Sequence, residues 1–537
     1  MMDMLDHIWL GVLAVFVADP VFSLGPIPVS ITVLMVFLGF VLGVIVGATP
    51  GLGGPSVMAI SLPILISIFG FEASALLPVL GFLVGIMKGS TIGGAVPAIL
   101  FNTPGTPDSL MTTFDGYPMT KNGKAGKALR VAHFSSVSGD TFSDIILFTA
   151  APTLAIVVEQ FLDFPEKAAL IILSLAFISS VVGSNVWKGL LAALLGMFFA
   201  FIGTGEDGYP RMSLGTDGLA NGLPLVSVIL GVLILGAIFE GMETMWRDIR
   251  EKETVTEVTM VGDNKLRLAD VRKILPFIGT SACVGTVIGA LPGIGSTLAA
   301  TLGYACGKRL HKGKIPFGEG TPEGVAATEA ANSSVAGANL IPVLSLGIPG
   351  NVSAVFIILA MESIGGFNPG PAVFHLIPGQ VNPEMVIAFG LFTAMLLANA
   401  LNWTLGGIFM RSMGIMIRVP KQRLMAVILL LTLTSIYAQQ TSMFAVYITL
   451  VFGLVGYLMR KLDLSVLPFV IAFILANNLE EIMRQAFSVT GANPWFLFSS
   501  PVSIGFMVLT LVVVLFFSRP KTDRRQTVFS ESGVSQK

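Results

Sequence analysis

Four short runs in this chain hold the residue types from which a binding chemistry can be built. Two are Pro50-Gly51-Leu52-Gly53 and its echo Pro292-Gly293-Ile294-Gly295-Ser296, with Pro292 standing 242 residues after Pro50. The other two are Asn102-Thr103-Pro104-Gly105-Thr106-Pro107-Asp108-Ser109 and Gly347-Ile348-Pro349-Gly350-Asn351-Val352-Ser353, with Pro349 standing 245 residues after Pro104. A Pro-Gly pair in an apolar run ends one half-helix and starts another, because proline removes an N–H and glycine allows backbone angles that other residues avoid. The first half-helix then offers free C=O groups, which suit a small hard cation. The second offers free N–H groups, which suit a carboxylate. The candidate carboxylate-binding residues are therefore Asn102, Thr103, Pro104, Gly105, Thr106, Asp108 and Ser109 in one copy and Gly347, Pro349, Gly350, Asn351 and Ser353 in the other. The candidate cation ligands are Pro50, Gly51, Gly53, Pro292, Gly293, Gly295 and Ser296, joined by Asn332, Ser333 and Ser345. The bland alternative is that these residues only cap and kink helices: Asp108, Ser109, Asn351 and Ser353 are all good N-caps.

Ionisable residues in apolar segments form a second set of candidates. Lys88 closes an apolar run and reads as a counter-charge for an anion or as a snorkelling side chain. Glu329 opens Glu329-Ala330-Ala331-Asn332-Ser333-Ser334, where it either faces a site or caps a helix start. Asp140 and Asp144 stand one helical turn apart; a solvated membrane edge is favoured over a proton relay. Glu319 and Glu323 read as solvated loop residues. Other chemistries lack their residues. Cys283 and Cys306 lie in apolar surroundings and read as packing, and the chain holds neither HExxH nor a GxxxxGK[ST] run.

The elements that must position these residues are membrane helices. The chain has 537 residues, 54% hydrophobic and 12% charged, with a mean hydropathy of +0.84 and a net charge of −1. Soluble domains carry about 25% charged residues, and near-neutrality implies no nucleic-acid or other polyanion partner. The N-terminus lacks a basic region and an A-x-A site, so no cleaved signal peptide is expected. The expected fold is all-α and polytopic, with about 10–13 membrane segments and broken or re-entrant helices at the Pro-Gly motifs. Residues 8–24 read as an interfacial helix or marginal span. Segments fit 29–48, 55–70 and 73–88, the last followed by a small-residue run. After the polar stretch Asp115–Arg130, more segments fit 135–158, 165–183, 188–204 and 222–241. The second half gives 274–306, a broken segment 331–366, then 385–410, 423–438, 442–459, 464–478 and 501–518.

Gly43 and Gly47 recur as Gly285 and Gly289 at the first offset, so whole segments are duplicated, not isolated motifs. Basic short loops stay cytoplasmic. This places 121–130, 247–273, 308–314, 411–423, 460–461 and the basic tail inside, and leaves the loops near 160, 206–221, 368–383 and 478–498 outside. Counting back, the first copy starts outside near Pro28 and the second inside near Lys273. Such inverted repeats are common in secondary transporters. The expected organisation is a first repeat over 20–245, a cytoplasmic linker 246–273, a second repeat over 274–460, additional spans over 461–518, and a disordered cytoplasmic tail 519–537.

The combination Gly-Ala-x-Pro-Gly-[Leu/Ile]-Gly, Glu-Ala-Ala-Asn-Ser-Ser and Leu-Gly-Ile-Pro-Gly resembles the large membrane subunit of the tripartite tricarboxylate transporters, over residues 20 to 440. The resemblance implies an ion-driven uptake system for di- or tricarboxylates in a bacterial inner membrane. It also implies two partners, a small four-helix membrane subunit and a periplasmic solute-binding protein. No enzymatic activity and no cofactor is expected beyond a coupling ion. The duplicated motifs supply mostly carbonyls, hydroxyls and amides, which do not titrate, so Na⁺ is favoured over a proton. Two alternatives stand beside a carrier: an intramembrane lipid-linked transferase, for which no acidic cluster or nucleophile–base pair is found, and a carboxylate channel.

Overall fold

The computed structural model describes all residues except 1–3, 25–26, 50–52, 183–184, 206–208, 214, 249–264, 294, 366, 377–378, 413–420 and 519–537. Most of the linker core, the basic tail, Glu206, Asp207 and part of the 411–423 loop therefore lie outside the described residues. Helices dominate. Helix α1 (Met4–Phe16) leads into a two-stranded antiparallel ribbon, β1 (Pro20–Leu24) and β2 (Ile27–Ser30). This corrects the reading of 8–24 as one helix or span. Asp19, before Pro20, adopts a left-handed φ of 49° and turns the chain into the ribbon.

The first copy follows as α2 (Ile31–Gly47), α3 (Gly54–Phe69) and α4 (Ala73–Phe101). Ser30 caps α2 by accepting the N–H of Val33 at 3.1 Å. A short turn at Pro107–Ser109 leads to α5 (Thr113–Lys121) and the 37-residue α6 (Ala125–Phe161). The stretch from Asp115 to Arg130 is thus helical except for the turn at 122–124. Helix α4 runs 29 residues without a stop at Lys88, carrying Pro97 in its last turns. Beyond α7 (Phe164–Val181) and α8 (Val186–Ala200), a small ribbon (β3, Gly203–Thr204; β4, Pro210–Arg211) and α9 (Asp217–Ala220) precede α10 (Leu225–Leu230). Helix α10 passes through a π-turn at Gly231–Leu235 into α11 (Gly236–Asp248).

The second copy is α12 (Leu268–Gly289), α13 (Gly295–Leu310), α14 (Pro322–Ala338) and α15 (Leu340–Leu346), then α16 (Val352–Ser363). Helix α17 (Pro383–Leu401) continues through a π-turn at Asn402–Gly406 into α18 (Gly407–Ser412). The chain ends with α19 (Lys421–Gln440), α20 (Met443–Lys461), α21 (Val466–Val489) and α22 (Pro501–Ser518). Helix α21 reaches Val489, well into the 478–498 stretch expected as an outside loop. Among the described residues, nine helices are long and apolar enough to cross a membrane, and shorter apolar helices such as α2, α3 and α16 flank the Pro-Gly breaks. The chain is a polytopic all-α membrane protein.

Two compact units are distinguished: Met1–Leu162 with Ala200–Leu462, and Asp163–Phe199 with Asp463–Lys537. The first carries every candidate residue. In it α2 and α4 pack backbone to backbone. A Cβ on Gly39, Gly43 or Gly47 would come within 2.5 Å of the carbonyl oxygens of Phe82, Ile86 and Ser90, and one on Gly85, Gly89 or Gly93 equally close to those of Val36, Phe40 and Val44. Small residues at this spacing allow helices to meet at main-chain distance. The second copy repeats the device, with Gly285 of α12 set against the carbonyl oxygen of Ala331 in α14. In the second unit, α7 packs on α21 and α22, with Ser503 donating to the carbonyl of Pro165 at 3.3 Å.

Candidate functional site

The helix before the second break of each copy ends in the same way, the 29-residue α4 in the first and the seven-residue α15 in the second. Asn102 closes α4 at φ 55° and Gly347 closes α15 at φ 71°, and they stand 245 residues apart. The next residue of each, Thr103 and Ile348, donates its N–H back to the carbonyl of Pro97 and Pro342, at 3.3 and 3.1 Å. A left-handed residue costs little as glycine and is tolerated in asparagine, which is why these two types occupy the position. The chain restarts at Thr106, ahead of the Pro107–Ser109 turn, and at Asn351, ahead of α16.

Within each copy the two breaks meet. Gly293 donates its N–H to the carbonyl of Gly350 at 2.8 Å. Gly105 sits so close to Gly47, at the end of α2, that a Cβ on it would lie 2.3 Å from that carbonyl. Pro50 and Gly51 lie outside the described residues; Gly53 is the residue before α3. The copies are unlike in burial: Asn102 and Thr103 are exposed, whereas Gly347, Pro349 and Gly350 are buried.

Part of the predicted hydroxyl and amide set is engaged locally. Asn351 caps α16 by accepting the N–H of Ala354 at 2.9 Å. Ser109 donates to the carbonyl of Thr106 at 2.9 Å, and Ser345 to that of Ile341 at 2.6 Å. The capping alternative therefore accounts for Asn351 and for much of Ser109. Ser353 is buried in the first turn of α16. Pro292 and Ser296 are half-buried, and Gly295 takes a φ of 74° at the start of α13.

The copies also touch each other at these motifs. Asp108 accepts a hydrogen bond at 2.7 Å from Thr297, next to Ser296 in the first turn of α13. Below this contact Glu329, with no exposed surface, accepts from Ser136 of α6 at 2.9 Å and from Thr112, which follows the first copy's break. Further along the same face of α14, Asn332, Ser333 and Asn339 are buried, and the Asn332 and Asn339 amides and the Ser333 hydroxyl have no hydrogen-bond partner in the protein. Buried polar groups are nearly always partnered, so this row stands out. Asn339 packs against Gly350, bringing the row to the second copy's break.

The other ionisable candidates are placed differently from expectation. Lys88, Asp140 and Asp144 are 1%, 3% and 2% exposed. Lys88 Nζ lies 2.5 Å from Asp140 Oδ1 and 2.8 Å from both oxygens of Asp144. Asn399 of α17 donates to Asp144 at 2.6 Å. Lys88 does not snorkel, and the two aspartates are not a solvated edge; both carboxylates share one lysine inside the helix packing. Asp115 is likewise buried, with its Oδ1 accepting N–H groups from Gly318, Gly320 and Thr321 at 3.0, 2.9 and 2.8 Å. Nothing in its local sequence separates it from a loop aspartate. Glu319 is exposed, as expected, whereas Glu323 is half-buried in the first turn of α14 and not a loop residue. Among the described residues no three or more His, Cys, Asp or Glu side chains come together as a metal-ligand cluster.

This arrangement of duplicated helix breaks meets the comparisons with known proteins. The profile of the Tripartite tricarboxylate transporter TctA family matches residues 33–471. The chain belongs to that family. It is 30% identical over 540 residues to an Agrobacterium vitis protein described as an uncharacterized 52.8 kDa protein in the TAR-I ttuC' 3' region, covering 99% of this chain and 100% of that one. A second Agrobacterium vitis protein, from the TAR-II ttuC' 3' region and also described as uncharacterized, is 29% identical over 252 residues, which is 46% of this chain and 99% of that one. No solved structure matches the chain. Membership of the TctA family makes this a membrane subunit of a tripartite tricarboxylate transporter, and points to a transporter rather than an enzyme. The matched region includes all the candidate residues.

Proposed function

We propose that the protein is the Na⁺-coupled translocating subunit for organic di- or tricarboxylates delivered by a periplasmic solute-binding protein, with a small four-helix membrane subunit beside it in a bacterial inner membrane. The observation that carries this reading is the meeting of helix breaks from both copies, with Asp108 of one bonded to Thr297 of the other. Two half-helix ends converging from separate repeats give carbonyls for a cation and N–H groups for a carboxylate in one place. The substrate-binding role falls to the 102–109 and 347–353 breaks. The cation role falls to Gly293, Gly295, Ser296, Asn332 and Ser333, with Pro50 and Gly51 by repeat equivalence. Inverted orientation of the repeats and a cytoplasmic C-terminus belong to the same proposal, from the charge alternation of the loops.

Vesicles containing the complete tripartite system test it. Uptake of citrate and of a C4 dicarboxylate is followed with an inward Na⁺ gradient alone, then with a proton gradient alone. Accumulation under the Na⁺ gradient that persists when the pH gradient is collapsed is expected. Accumulation under the proton gradient alone overturns the Na⁺ assignment.

A further inference from the structure

Glu329 presents an electrostatic problem that the fold itself does not solve. Its carboxylate is fully buried, and its bonded neighbours are two neutral hydroxyls, Thr112 and Ser136. Among the described residues no lysine, arginine or histidine pairs with it. The contrast with Lys88 is internal to the molecule: there two buried aspartates are met by a built-in ammonium. An isolated buried carboxylate costs several kcal/mol or more unless a positive charge comes to it.

The surroundings say which charge suits it. Asn332 and Ser333 follow Glu329 by three and four residues on α14, so the three side chains share one helix face, one turn apart. The Asn332 amide oxygen and the Ser333 hydroxyl are buried and have no partner in the protein. A site that only took up a proton would need one acceptor and no additional oxygens. A carboxylate flanked by neutral oxygens is instead the donor set of a small hard cation, which prefers oxygen ligands of this kind.

We infer that Glu329, Asn332 and Ser333, with the hydroxyls of Thr112 and Ser136 that bond the carboxylate, form a Na⁺ site of the carrier, which shares Asn332 and Ser333 with the cation ligands assigned above. The inference rests on the Na⁺-coupled reading above and adds the residue that bears the charge. The site also draws ligands from both repeats, since Thr112 and Ser136 come from the first and α14 from the second. Bound Na⁺ would therefore tie the repeats together, and its departure would leave a bare charge that disfavours the same packing.

Binding is measured without transport. Full-length protein in detergent is titrated with ²²Na⁺, and its melting temperature is followed against NaCl with KCl as the ionic-strength control. Wild type is expected to bind saturably and to be stabilised by Na⁺ but not K⁺. Glu329→Gln is expected to lose at least tenfold in Na⁺ affinity, and the exposed-loop variant Glu319→Gln to lose none. If Glu329→Gln does not fold, Asn332→Ala and Ser333→Ala serve, each with an expected loss of about tenfold; wild-type affinity in both overturns the site. Wild-type Na⁺ affinity in a folded Glu329→Gln protein also overturns it, while leaving Na⁺ coupling intact. Absence of Na⁺ binding in the wild type removes the coupling reading itself, and with it this site.

Discussion

At the scale of the residue, buried charge decides most of what is distinctive here. Removing one partner of a buried ion pair strands the others, at a cost of about 3–5 kcal/mol. Lys88→Met should therefore lower the melting temperature in detergent markedly. The combined Lys88→Met, Asp140→Asn, Asp144→Asn protein should recover much of the loss, because no uncompensated charge remains. A single variant as stable as wild type would show the pair to be structurally idle. Asp115→Ala should destabilise by about 1–3 kcal/mol for each N–H it leaves unpartnered, and Asp115→Asn by less, since an amide oxygen still accepts. For the breaks, Asn102→Ala and Ser353→Ala should each weaken uptake without lowering the amount of protein in the membrane. Unchanged kinetics in both would leave capping as their whole role. The sequence showed which residues could matter and misjudged several partners. Lys88 and the Asp140–Asp144 pair are 52 residues apart or more, and a partner at that distance leaves no local trace. The Glu329 neighbourhood was half legible: Asn332 and Ser333 are close in sequence, Thr112 and Ser136 are not.

Helices and their ends show the same division. The breaks were readable because proline and glycine act locally, and the left-handed closures at Asn102 and Gly347 follow from residue type. Helix lengths were less readable. Lys88 looks like the end of a span only while it is assumed to seek water; once two aspartates meet it, α4 has no reason to stop. The glycine contacts between α2 and α4 carry a clear expectation. In Gly43→Ala the new methyl would stand 2.5 Å from the carbonyl oxygen of Ile86, so the helices must part. Overpacking of this kind costs about 1–3 kcal/mol. Gly279 of α12 has open space where a Cβ would go, and Gly279→Ala should be neutral or slightly stabilising, as expected for a helix interior. Thermal unfolding of the two variants side by side checks the contrast.

For the whole molecule, the two offsets make the paired motifs legible, because such motifs survive where intervening residues drift. The orientation of the copies rests on the loop charges. Single cysteines at Pro28 and Lys273 should react with impermeant reagents from opposite faces of the membrane; labelling of both from one face would remove the inverted arrangement. The second compact unit was invisible beforehand, since nothing local marks α7 and α8 as partners of α21 and α22. That partnership has a consequence for how the chain is made. During synthesis α7 and α8 enter the bilayer long before their companions exist, and everything from Ala200 to Leu462 is inserted in the interval. The glycine at 196, shaped to receive the backbone of Phe469, waits unfilled throughout. Until then these two helices are exposed to membrane quality control, which removes unassembled segments. A chain stopped after Leu462 should accordingly be degraded, and co-expression of residues 463–537 as a separate polypeptide should restore its level on an immunoblot of the membranes. Normal accumulation of the shortened chain would mean that α7 and α8 are stable in lipid on their own.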